Sequence, residues 1–148
     1  MLLAVAGGLL TFTGLLVLAA RQPALPRVGD HWHARYAVVV CGRERPPFPP
    51  TPGNVHTHGD GLIHIHPVLP VEAGRNATLG RFFASAGVRF SRDALEFPDG
   101  TVYRTGDRCP DGRPGRLRLL VNGRSRDAFD TYVPQDGDTI EVRFGPDG

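Results

Sequence analysis

The sequence predicts an α+β fold, a sheet with one helix packed on one of its faces, preceded by an N-terminal membrane helix. Three observations predict it. Apolar and polar residues alternate with period two in several stretches, a single amphipathic helical pattern lies between them, and residues 2–20 are apolar and carry no charge.

The N-terminal stretch, LLAVAGGLLTFTGLLVLAA, would form a helix about 28 Å long, close to the hydrocarbon thickness of a bilayer. Residues 1–20 are therefore expected to be a transmembrane anchor or a signal sequence. The length of the apolar run favours the anchor over cleavage after Val17-Leu18-Ala19. Arg21 and Arg27 follow the run while only the α-amino group precedes it, which by the positive-inside rule would leave the domain in the cytoplasm. The histidines and cysteines described below favour the outside. Residues 21–30, RQPALPRVGD, read as a short tether, and residues 31–148 as the domain.

The domain opens with HWHARYAVVVC, residues 31–41. Trp32, Ala34, Tyr36, Val38 and Val40 share one face of a strand, and His31, His33, Arg35, Ala37 and Val39 share the other. A loop dense in proline follows over residues 42–54, where missing N–H groups prevent regular pairing and favour an extended chain. In NATLGRFFASAGV, Leu79, Phe82, Phe83 and Ala86 recur at helical spacing, with Asn76 or Thr78 as the cap and Gly87 at the end. Asn76-Ala77-Thr78 also spells a glycosylation sequon, for which capping is the preferred reading. Residues 88–115 form a turn-rich insertion with a few short strand candidates. Two strands close the chain, RLRLLV with Leu117, Leu119 and Val121 inward, and DTIEVRF with Ile140, Val142 and Phe144 inward.

The formal charge of +2 argues little about partners. All 17 basic residues are arginine, and they alternate with acidic and apolar residues without forming a run, so no nucleic-acid partner is expected. Cys41 and Cys109 form an even pair with no CxxC spacing. In an oxidising compartment they would join in a disulfide worth about 4 kcal/mol in the chain-entropy treatment. Two separate buried thiols are the alternative if the domain faces the cytoplasm.

The order strand, strand, helix, strand, strand resembles the ubiquitin-like β-grasp fold, a mixed sheet with one helix across one face. ATLGRFFASAGV is similar to the helix of the sulfur-carrier members of that group. VNGR…YVPQDGDTIEVRF, with turns at Asn122-Gly123 and Asp136-Gly137-Asp138, looks like their closing hairpin. The resemblance implies the fold and not the activity, because the chain ends Gly145-Pro146-Asp147-Gly148 where those carriers end in Gly-Gly. The whole soluble part, with HWH, HTHGDGLIHIHP, NATLG and GDRCPDG, also resembles a group of membrane-anchored bacterial proteins to which no activity is attached.

The 6 histidines fall in two patches, His31 and His33 in HWH, and His56, His58, His64 and His66 in HTHGDGLIHIH. A three-residue loop Gly59-Asp60-Gly61, with Gly61 left-handed, would set His56 opposite His64 and leave Ile63 and Ile65 to the core. All four imidazoles of the second patch then share one face, with opposed Cβ atoms about 5 Å apart. In the β-grasp arrangement the start of the first strand lies beside the end of the second, so His31 and His33 should approach His64 and His66.

Neutral imidazole is the commonest ligand for zinc and copper, and a His-x-His pair supplies two donors from one face of a strand. The one methionine is Met1, which disfavours a thioether copper(I) site. Asp60 is placed to orient an imidazole or to join the ligands. HTHGD resembles the first metal motif of metallo-β-lactamase-fold hydrolases, but Gly61 stands where that motif has its last histidine, and the other ligands are missing.

The expectation is a membrane-tethered, extracytoplasmic domain that binds zinc or copper as a carrier, sensor or accessory factor for a membrane-protein partner. No Gly-rich phosphate loop or nucleophile elbow accompanies the histidines, which argues for a binder rather than an enzyme. Two alternatives stand beside it: a small metal-dependent enzyme at the same site, and a protein-interaction module with incidental or pH-sensing histidines.

Overall fold

The computed structural model describes residues 23–147. Its ten strands are β1 (Trp32–Val40), β2 (Arg43–Glu44), β3 (Val55–His56), β4 (Leu62–Ile65), β5 (Arg89–Phe90), β6 (Ala94–Glu96), β7 (Val102–Arg104), β8 (Arg116–Val121), β9 (Arg124–Arg126) and β10 (Thr139–Gly145). One α-helix among the described residues, α1 (Leu79–Ser85), lies between β4 and β5 in sequence. The α+β class with a mixed sheet and one helix agrees with the sequence expectation.

The main sheet runs β3-β4-β1-β10-β8-β9, with β2 paired to the far end of β1. Its centre is the parallel pair β1 and β10, in register from Arg35 opposite Thr139 to Val40 opposite Phe144. Antiparallel neighbours, β4 and β8, flank that pair. Alternation assigns the faces as the sequence predicts. Ala34, Tyr36 and Val38 of β1, Leu117, Leu119 and Val121 of β8, and Ile140, Val142 and Phe144 of β10 are all buried.

α1 covers that apolar face. Thr78 caps it, its Oγ1 accepting from the Arg81 N–H at 3.2 Å, and Val88 N–H donates to the Phe83 carbonyl beyond its end. Leu79, Phe82 and Phe83 point into the core, where the Phe82 ring centroid lies 4.7 Å from that of Tyr36 and 5.9 Å from that of Phe48. A buried phenylalanine contributes about 1.5–3 kcal/mol of transfer free energy, so this aromatic group is the main attachment of helix to sheet.

Several details differ from the sequence reading. The first residues of the loop 42–54 do pair, as β2, and Phe48 turns into the core while its N–H donates to the Tyr36 hydroxyl at 2.7 Å. The insertion 88–115 contains a second antiparallel sheet, β5-β6-β7, that buries Phe90 and Leu95 and sets Tyr103 against Phe144. Asn122-Gly123 forms the anticipated turn, with φ of 52° and 74°, and leads into β9, a strand the sequence reading omits. The expected disulfide is present: Cys41 and Cys109 are bonded, with Cα atoms 5.6 Å apart, tying the end of β1 to the insertion.

Part of the expected tether lies against the domain. Pro26 is buried and its carbonyl accepts from Gly74 N–H, while Gly29 N–H donates to the Pro67 carbonyl. Among the described residues no helix is long and apolar enough to cross a membrane. The anchor or signal expected over residues 1–20 lies outside the described residues.

Candidate metal centre

The histidines occupy the sheet face opposite α1, at the β3-β4-β1 edge. Alternation puts them there: Val55 and Thr57, Ile63 and Ile65, and Ala34 turn to the core, so the histidines next to them in sequence turn away. His56 stands opposite His64 between β3 and β4, the register expected for a three-residue loop. Gly61 has φ of +76°, the left-handed conformation that this loop demands and glycine supplies without strain. Across the other edge of β4, His33 stands opposite His64.

These registers bring His31, His33, His64 and His66 together. One nitrogen from each forms a group whose members all lie within 4.8 Å of one another. The His31 and His66 ring centroids are 3.7 Å apart, and those of His33 and His64 are 4.6 Å apart. His31 Nε2 lies 3.0 Å from His33 Nε2. His56 and His58 stand outside this group but beside it, the His58 ring centroid 4.4 Å from that of His64 and the His56 centroid 5.3 Å from that of His66.

Burial is graded across the patch. His64 is 7 % exposed despite lying on the outer face, because the neighbouring imidazoles cover it, while His31 and His58 are exposed. Its Nε2 donates to Asp60 Oδ2 at 3.0 Å. The other Asp60 oxygen accepts from Leu62 N–H at 3.1 Å and Thr57 Oγ1 at 3.3 Å, which fixes the carboxylate at the loop tip. Burial alone would raise the Asp60 pKa, but the bonds from His64 and Leu62 outweigh it and hold the carboxyl at about 2.

Three of the imidazoles, His33, His56 and His66, resist protonation. Burial, followed by the charges that His31, His56, His64 and His33 would carry, pushes His66 down to about 4. His33 is lowered by burial and then by His64 and His31, and His56 by burial and then by His58 and His64. Neutral rings keep a lone pair for an ion, so binding at neutral pH need displace few protons. Four imidazole nitrogens at this spacing are a donor set that zinc or copper accepts, and the residues therefore fit a transition-metal ion.

Four supporting residues escape the sequence reading. Thr57 is 1 % exposed and links Gly59 N–H to Asp60 through its hydroxyl, a role hinted at only by the Thr-x-x-Asp spacing. The Asn54 carbonyl accepts from His66 N–H at 2.8 Å. Asp136 accepts from His33 N–H at 2.9 Å while Gly137 N–H donates to the His33 carbonyl at 2.7 Å. That clamp comes from the turn before β10, more than a hundred residues away in the chain, where no local pattern could reveal it.

Surface grooves lie between α1 and the second sheet and around the disulfide, lined by residues such as Arg81, Arg89 and Glu96, or Arg43, Arg108 and Pro110. No family model, curated protein or solved structure matches the chain.

Proposed function

We propose that this chain is a membrane-tethered, extracytoplasmic domain that binds a transition-metal ion, zinc or copper, and serves a membrane-protein partner as carrier, sensor or accessory factor. The observation that carries the metal reading is the convergence of nitrogens from His31, His33, His64 and His66 within 4.8 Å. A cluster of imidazoles with His31 exposed at its edge suits an ion that must be taken up and given away. A small metal-dependent enzyme at the same site is the alternative.

Other observations support the location. The Cys41–Cys109 disulfide suits an oxidising compartment. Among the described residues the exposed large apolar side chains are Leu25 and Val28, which follow the apolar run 2–20 in sequence, and Val68, Leu69 and Val71, on a segment joined to theirs by Gly29 N–H donating to the Pro67 carbonyl. The likeness to the β-grasp fold is part of the same proposal, and the parallel β1–β10 pair at the sheet centre, with α1 across one face, supports it.

The test is the metal content and affinity of the untagged protein beside His31→Ala/His33→Ala and His64→Ala/His66→Ala variants that keep the wild-type circular dichroism. Stoichiometric zinc or copper in the wild type, weakened at least tenfold in both variants, is the expected result. Equal binding by all three proteins would remove the metal reading and leave an interaction module.

A further inference from the structure

We propose that the histidine face holds two transition-metal ions, the second bound by His56 and His58 with the carboxylate of Asp60 beside them. The inference rests on the metal-binding reading above and extends it to the residues left outside the four-nitrogen group.

The donor spacing on β3 is the first argument. His56 Nε2 and His58 Nε2 lie 3.3 Å apart. Two nitrogens on one tetrahedral ion, with metal–nitrogen bonds of about 2.0–2.1 Å, stand about 3.3 Å apart. The pair on β1, His31 and His33, is drawn together in the same way, at 3.0 Å. Each outer flank of β4 therefore carries its own preformed two-nitrogen clamp, and the rings of each clamp point their Nε2 atoms at each other rather than at protein carbonyls.

The strand order is the second argument. β4 lies between β3 and β1. One nitrogen each from His31, His33, His64 and His66 lie within 4.8 Å of one another, and His56 and His58 stand outside that group, so an ion held by the four leaves the second pair without a part in it. Of the two imidazoles at the end of β4, His66 stands beside the first clamp and His64 between the two. His66 packs on His31 with ring centroids 3.7 Å apart, whereas His64 lies 4.4 Å from His58 and 4.6 Å from His33.

The third argument is charge. Two neutral imidazoles do not offset a divalent ion, and a neighbouring carboxylate does. Asp60 Oδ1 is committed to the Leu62 N–H and the Thr57 hydroxyl, which leaves Oδ2 turned toward His64, 3.0 Å from its Nε2, beside the ring of His58. Asp60 would then serve both ions, as a ligand to the second and as the hydrogen-bond partner of a ligand to the first. Because the ions repel one another across His64, they should bind in two unequal steps.

Copper(II) titration of the full-length, untagged protein in detergent, read by isothermal calorimetry and electron paramagnetic resonance, tests this. The wild type should take up two equivalents in unequal steps, and the loaded protein should show the half-field signal of two coupled spins within about 10 Å. His56→Ala/His58→Ala should bind one equivalent with an uncoupled spectrum, and the exposed single change His58→Ala should weaken one step by tenfold or more. One equivalent in the wild type overturns the two-ion proposal while leaving the four-histidine reading intact. No tight binding overturns both. Two equivalents in His56→Ala/His58→Ala would also overturn it, by placing the second ion elsewhere. The wild-type stoichiometry decides the matter even if the double variant fails to fold.

Discussion

His64 Nε2 donates to Asp60 Oδ2 across four residues of one hairpin, and that bond sets the tautomer of the most buried histidine in the patch. With the proton held on Nε2, the free lone pair of His64 sits on Nδ1. A carboxylate behind an imidazole is the arrangement that makes histidine a stronger and better aimed ligand. Asp60→Asn should therefore weaken zinc or copper binding about tenfold or more, read by competition with a chromophoric chelator. Unchanged affinity would show that the carboxylate has no part in holding the ion.

The metal-free protein should lose stability as pH falls from about 6.5 toward 4. His66 titrates near 6.5 when unfolded and at about 4 in the fold, because burial and the other imidazoles disfavour its charge. His33 and His56 shift in the same direction. Between the two values the unfolded chain binds more protons, so acid favours unfolding, and above about 6.5 the contribution is fully present. Melting temperatures at pH 8, 6 and 4.5 in the presence of a chelator should fall in that order. His66→Ala should flatten the profile, and a midpoint that rises in acid would contradict the burial of these rings.

Removing the disulfide should destabilise the domain without releasing the ion. Cys41 and Cys109 are 68 positions apart, a loop for which the chain-entropy treatment gives about 4 kcal/mol. Cys41 lies beyond the C-terminal end of β1, whereas His31 and His33 lie at its start. A Cys41→Ser/Cys109→Ser variant should unfold at markedly lower urea concentration yet bind metal with wild-type affinity while folded. Loss of affinity in the folded variant would mean that the two ends of β1 are mechanically linked.

Asp138 is a buried hub of the closing turn. It accepts from Tyr132 Oη at 2.6 Å, Gln135 N–H at 2.8 Å and Asn122 Nδ2 at 2.8 Å. Asp138→Ala strands all three donors and should cost about 3 kcal/mol, a fall in Tm of roughly 10 °C. Asp138→Asn should cost less, since it keeps the acceptor Oδ1 and the volume. A loss below about 1 kcal/mol for the alanine variant would mean that water replaces the carboxylate.

The strands legible in the sequence are those with one dry face. β1, β8 and β10 each alternate buried and exposed positions, and a period-two apolar pattern is the direct trace of that burial. The hairpin register at the histidines was legible for a different reason, the demand of a three-residue loop for glycine at Gly61. What escaped lacks such a trace. β9 is exposed at every residue, and both residues of β2 are exposed, so neither carries a pattern to read. Phe48 reaches the core from within a proline-rich loop because Tyr36 accepts its N–H, a tertiary cause. For the site, alternation identified the face of all 6 histidines. It does not report how side chains lean, and that lean is what gathers His31, His33, His64 and His66 and leaves His56 and His58 as a separate pair.

The central pairing of β1 with β10 dictates an order of assembly. Arg35 of the first strand finds Thr139 of the last, about a hundred positions later, so the sheet cannot close until nearly the whole domain has been synthesised. The β3-β4 hairpin and its contact with β1 are far more local and can form first, so the histidines can meet while the other edge of β1 still lacks its partner. A nascent chain in that state could already capture an ion, and the ion would then hold β1 against β4 while the open edge waits. An ion bound there would thus act as a folding nucleus, and a chain made under metal starvation would reach the native sheet more slowly.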